Sequence, residues 1–166
     1  KLYWSFNDET GQLTVSGMGN MPDHNIPWSN YSNQIKSVVI SSGITGIGSW
    51  VFRLNESITS VTIPEGVTFI GDAAFFGCKS LKSVELPKSV KRLDNAAFGG
   101  CSFTSFTIPE GITSIPTNLF QGCSLLDSIK IPKSVTSIGG SAFYDCSSLT
   151  SIEIPEGVTS IGGSTF

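Results

Sequence analysis

Charge is scarce in this chain: Asp, Glu, Lys and Arg make up 14% of 166 residues, where an ordinary domain carries about a quarter. The net charge of −3 gives no electrostatic reason to expect nucleic acid or an acidic membrane as a partner. No stretch approaches the roughly 20 apolar residues that span a bilayer, so no membrane insertion is expected. From Lys1 onward there is no basic-then-apolar leader, which leaves localisation to other observations. Cysteine pairs two to four residues apart are missing, and with them a structural zinc site. Clustered Asp and Asn suited to calcium are also missing, so we expect no metal and no cofactor.

Catalytic groups are equally thin. His24 is the single histidine, in a loop rich in Gly, Asn and Pro, and any Ser-His or Cys-His pair has to use it. The carboxylates fall on separate segments, mostly opposite Lys, with no glycosidase-like pair. The glycines of Gly17-Met18-Gly19 and of Gly43 to Gly48 lack the spacing and the strand–loop–helix setting of a nucleotide loop, and read as turn glycines. An enzyme is therefore not expected.

What the chain has is a period. Ile58-Thr59-Ser60-Val61-Thr62-Ile63-Pro64 returns as Leu81 to Pro87, Phe103 to Pro109, Leu126 to Pro132 and Leu149 to Pro155, with a diverged first copy from Ile35. Self-similarity at about 23 residues is the mark of a solenoid, whose units bury their apolar faces only by stacking. Three columns supply that core: Phe52, Phe75, Phe98, Phe120, Phe143 and Phe166; the column through Ile47, Ile70 and Leu93; and the column through Ile44, Val67 and Val90. Cys78, Cys101, Cys123 and Cys146 recur at 23, 22 and 23 residues, the repeat period, with Asn55 in the same place in the first copy. Parallel Cβ vectors on stacked coils are badly aimed for disulfides, so these are read as free, buried thiols. An Asn/Cys column of this kind satisfies backbone groups where the chain leaves its strand.

Within a copy, Ser60 to Ile63 reads as a short parallel strand with Val61 and Ile63 inward and Ser60 and Thr62 outward, ended by Pro64. Glu65, Lys88, Glu110, Lys133 and Glu156 alternate along one edge and predict a register-setting charge ladder. Asp72 to Phe75 reads as a helical or 3-10 turn, with Gly71 permitting the corner. The copy from Leu81 is one residue short, which predicts a tighter loop and an unbroken stack. Phe69 stands where most copies have a small residue; it is either an exposed contact residue paired with Arg92 or covered by the cap. Five of the ten basic residues lie between Lys79 and Arg92 and read as solvated charge. Asn30-Tyr31-Ser32 and Asn55-Glu56-Ser57 match the glycosylation triplet.

Before the repeats, Tyr3 to Phe6 and Leu13 to Ser16 flank a turn-rich loop and predict a hairpin. Trp4, Trp28 and Tyr31 can cover the open end of the stack, with Met18 and Met21 as cap packing. Residues 1–34 are thus an N-terminal cap, a hairpin plus a short helical segment. Residues 35–166 hold about six repeats, the last incomplete.

The I-P-E-G-V-T-S-I-G and A-F-x-x-C-S-S-L-T-S-I alternation, clearest from Ile131 to Ile161, resembles the BspA-like leucine-rich repeat of the Treponema pallidum type, and the resemblance runs from Ile35 to Phe166. It implies a β-rich α/β solenoid, a right-handed leucine-rich-repeat superhelix of short parallel strands and short helical or 3-10 turns. It also implies an extracellular or cell-surface protein adhering to host matrix proteins or to other bacteria. The family carries over no binding residues.

From the residues themselves, the expected binding surface is the strand face, with Ser60, Thr62, Ser83, Glu85, Ser105, Thr107, Ser128, Lys130, Ser151 and Glu153 pointing out. Its rows of hydroxyls with a few charges suit a protein or a glycan, and a monomer is expected. The same face also suits a spacer with no ligand, because few aromatics stand on it.

Overall fold

Alternation of apolar and polar residues places one strand column where it was expected. In the computed structural model, which describes Lys1 to Phe166, Val61 is buried while Ser60 and Thr62 are exposed. A hairpin of β1 (Leu2–Asn7) and β2 (Gln12–Gly17) leads into β3 (Gly19–Asn20). The coils then contribute β4 (Ser37–Ile40), β5 (Ile44–Ile47), β6 (Ser60–Thr62), β7 (Phe69–Ile70), β8 (Arg92–Leu93) and β9 (Ser105–Thr107). The last strands are β10 (Ser114–Ile115), β11 (Ser128–Lys130), β12 (Ser137–Ile138) and β13 (Ser160–Ile161). The result is a β-solenoid-like repeat fold with almost no helix; one 3-10 turn, Ser29–Tyr31, is all there is.

Like residues meet like. Ser37 pairs with Ser60 and Val38 with Val61, while Ser105 pairs with Ser128 and Thr107 with Lys130. The six phenylalanines form one stack, with ring centroids 5.2 Å apart for Phe52 and Phe75 and 5.6 Å apart for Phe75 and Phe98, and so on to Phe166. Trp28 lies 6.0 Å from Phe52 at 19° and continues the stack one coil earlier. The hairpin also does more than cover an end. Its strand β2 pairs parallel with β4, and β3 pairs with β5, so both are rungs of the solenoid.

The expected helical turns are absent, and hydrogen bonding explains why. Ala74 N–H donates back to Gly71 O at 3.2 Å and Phe76 N–H to Ala73 O at 3.1 Å, as in a tight turn. The alternate donors cross to the next coil: Ala73 to Asn95 O (2.9 Å), Phe75 to Ala97 O (2.8 Å) and Gly77 to Gly99 O (2.7 Å). A helix keeps every N–H for its own chain; here half are shared outward. This wiring requires left-handed backbone at Trp50, Ala73, Ala96, Asn118, Ser141 and Ser164, with φ from 48 to 60°. It requires the same four residues later, at Leu54, Gly77, Gly100, Gly122 and Asp145. The corner glycine has a different reason from the one expected. A Cβ on Gly71 would lie 2.7 Å from the Ser49 nitrogen, so the close approach of coils excludes a side chain.

Leu54, at φ 60°, holds a conformation that costs an L-residue about 1–2 kcal/mol and glycine nothing. Its side chain is half in water. Leu54→Gly is therefore expected to raise stability by roughly 0.5–1 kcal/mol after the extra entropy of an unfolded glycine is counted. Urea denaturation of the two proteins measures it, and a destabilised variant would contradict the assignment.

The short copy does not leave everything continuous. The phenylalanine stack crosses it, with Phe98 and Phe120 at 6.2 Å, the longest step between successive phenylalanines of the column. Both strand ladders stop there: β6 is followed by the unladdered residues Ser83 to Glu85, and β8 does not pair with β10. Two large rings stand beside the break. Phe103 and Phe106 stand where the other copies have Leu, Ile or Val, and the Phe106 ring sits between Phe98 (5.2 Å) and Phe120 (4.7 Å). The strand ladder likewise ends after β11, since Ser151 to Glu153 are unladdered.

Candidate binding surface

All ten residues expected on the strand face are exposed. The structure gathers some of them into two grooves and leaves others on open sheet. The first groove, about 520 Å³, lies where the ladder is open and is lined by Ser83, Glu85, Ser105, Thr107 and Lys130, with Lys88 and Glu110 at its edge. The second, about 710 Å³, lies beyond β11 and takes Lys130 and Glu153 together with Glu110, Lys133 and Glu156. Lys130 borders both. Ser60, Thr62, Ser128 and Ser151 line neither groove.

The proline-flanking column was read as structural, and its lining role was missed. Glu110, Lys133 and Glu156 reach the groove because the chain bends back after each Pro, bringing two columns to one trough. The ladder of ion pairs expected along that column does not form. Glu65 instead accepts from the Lys88 and Ser89 amides, both at 3.3 Å, which leaves the lysines free in solvent. The ion pairs are elsewhere, Lys79 with Glu56 at 2.8 Å and Arg92 with Asp94 at 3.1 Å. Backbone polarity adds to the groove, because no backbone hydrogen bond engages the amides of Ser83 to Leu86. The surface thus offers unpaired peptide groups, hydroxyls and alternating charges, with Val84, Leu86 and Ile108 as an apolar floor.

Away from this face, the Arg92 guanidinium stands 4.6 Å over the half-buried Phe69 ring, so the expected pairing of these two residues forms. Phe69 lies across Gly46, where a Cβ would collide with the ring. His24 packs edge-on against Trp50 at 4.2 Å. Asn55 is buried, so its triplet is closed to modification. The four thiols are free and buried; each donates to the carbonyl of a phenylalanine one coil back, Cys78 to Phe52 at 3.2 Å and Cys101 to Phe75 at 3.3 Å. Burial pushes Cys78 and Cys123 up to about 12, Cys101 well above its usual range, and Cys146, one coil before the last, up to about 11. No group of three or more metal-ligating side chains stands together, and no helix is long and apolar enough to cross a membrane.

The BspA type leucine rich repeat region matches this chain in six copies over residues 28–91 and 45–166. A leucine rich cell surface protein from Faecalibacterium prausnitzii A2-165 is similar at 30% identity and TM-score 0.79, over 98% of this chain and 49% of that one. A leucine-rich repeat protein from Eubacterium ventriosum ATCC 27560 is similar at 26% identity and TM-score 0.72, over 98% of this chain and 60% of that one. The T. pallidum leucine rich repeat protein shares the fold at TM-score 0.80 and 19% identity, over 97% of this chain and 83% of that one. The chain therefore spans about half the length of the F. prausnitzii protein. No curated protein matches significantly.

Proposed function

The chain belongs to the BspA-type leucine-rich repeat family, and from that premise we propose that it is a non-enzymatic binding module, displayed at a cell surface or secreted, which adheres to a protein through its strand face. The leucine-rich cell surface protein it resembles supports the location. Its coils are read as right-handed, the hand that parallel crossovers nearly always take. One observation carries the binding reading: two grooves meet at Glu110 and Lys130, both combine unlike charges, and the first adds exposed peptide groups. Such a surface selects partners by charge complementarity more than by area. A protein fits better than a glycan, because the large exposed apolar side chains, Trp50 and Tyr144 among them, stand off this face.

Binding of matrix-protein coats and of whole bacteria, followed optically on immobilised protein, tests this. Lys130→Glu is expected to weaken binding about tenfold with an unchanged melting temperature, and Glu85→Lys to alter it in a salt-dependent way. The same lack of aromatics favours a second reading, a spacer that holds other parts of a surface protein away from the cell. Unmodified protein that captures nothing from either source supports the spacer and removes the module.

A further inference from the structure

We propose that the outer edge of β1 pairs antiparallel with the same edge of a second copy, joining two solenoids end to end through one continuous sheet. This departs from the monomer expected of an isolated solenoid and does not depend on the binding role of the grooves.

The strand is an unprotected edge. β1 is terminal in the order β1-β2-β4-β6, so its far side has no strand partner. Natural edges are blunted by proline, inward charge, bulges or shortness. Over its six residues, Leu-Tyr-Trp-Ser-Phe-Asn, β1 has none of these.

Parity tells which groups face outward. The Met18 N–H donates to Lys1 O at 3.3 Å, so Lys1 and Met18 are a hydrogen-bonded pair of the hairpin. Hydrogen-bonded and open pairs alternate in an antiparallel ladder. Tyr3 and Ser5 therefore turn their backbone groups to β2, and Leu2, Trp4 and Phe6 turn theirs away from it. A second β1 run antiparallel brings Leu2 opposite the partner's Phe6 and Trp4 opposite the partner's Trp4, which matches outward groups with outward groups in a two-fold contact.

Side chains and charge agree with that register. Trp4 packs beside Trp28 and Tyr31, at 6.3 and 5.9 Å, yet remains 38% exposed. Leu2 and Phe6 lie on the same face and are half-buried. A symmetric neighbour covers the remainder of all three. Lys1 stands at one end of the strand and Asp8 and Glu9 follow the other end, all exposed. Antiparallel pairing sets Lys1 against the partner's Asp8 and Glu9, whereas parallel pairing would set like beside like. The contact is small, so micromolar affinity is expected. Its outcome is eight strands in one sheet and two groove-bearing faces on one particle, which multiplies weak attachment.

Sedimentation velocity across the micromolar range tests the proposal. The unmodified chain is expected to pass from monomer to dimer. Asp8→Lys with Glu9→Lys, exposed changes that leave the core alone, is expected to weaken dimerisation about tenfold. Adding Lys1→Glu to that pair is expected to restore it. Circular dichroism and melting temperature confirm that each variant is folded. A chain that stays monomeric, a dimer indifferent to the charge reversal, or a failed rescue each overturns the proposal.

Discussion

Raising the pH from 9.5 to 10.5 is expected to remove about 5 kcal/mol of folding stability, comparable to the whole stability of many domains. The four cysteine thiols carry it. In the unfolded chain each ionises near pH 8.5, while burial keeps the folded thiols neutral, with Cys78 and Cys123 at about 12 and Cys146 at about 11. Above pH 9 the unfolded state thus holds fewer protons than the folded one, and stability falls as pH rises. The contribution is intact below about pH 8.5 and fades toward the folded values, at about 1.4 kcal/mol per pH unit per thiol. Urea denaturation at a series of pH values measures the slope. A variant with all four cysteines changed to Ser, which keeps a donor for the phenylalanine carbonyls, is expected to lose most of it. Parallel pH curves for the two proteins would show that the thiols play no part. The native thiols are likewise expected to resist alkylation, since it is the thiolate that reacts.

Phe98→Ala is the costliest single truncation expected, about 3–5 kcal/mol. Its ring touches four others, Phe75, Phe103, Phe106 and Phe120, at 5.2 to 6.2 Å. It also bridges the coils between which both strand ladders stop, so the aromatic stack carries much of the coupling there. Beyond the loss in midpoint, the unfolding transition is expected to broaden or divide, because stability in a stacked array is a sum of units and their junctions. Phe166→Ala, at a ring 59% exposed in the last coil, serves as the contrast and is expected to cost under about 1 kcal/mol. Equal losses at Phe98 and Phe166 would contradict the stacked-spine account.

These two results rest on features of unequal visibility. The phenylalanine and cysteine columns were legible because a recurring side chain reports directly whether it faces inward. The charge ladder was misjudged because recurrence places Glu65 near Lys88 but does not say that the Glu65 carboxylate will take the backbone amides. The helical turns were misjudged for a related reason: Ala73 is a good helix former, and only the neighbouring coil, by accepting its N–H, imposes a positive φ. Trp28 escaped the column assignment because its coil has diverged almost everywhere else. The packing of the Phe106 ring between Phe98 and Phe120 joins three coils at once, which no single repeat displays. Of the candidate surface, exposure was readable and the grooves were not.

The turn wiring has an architectural consequence. On the turn side, every interior coil donates the same amides forward and receives the same ones from behind, so there its two faces are interchangeable joints. A period duplicated or deleted where the ladders are continuous would meet turn donors and acceptors it already fits, changing the reach of the rod by one strand spacing, about 4.8 Å. Lengthening such a protein is then a matter of copying, and its reach can grow in even steps while the turn chemistry of each segment stays the same.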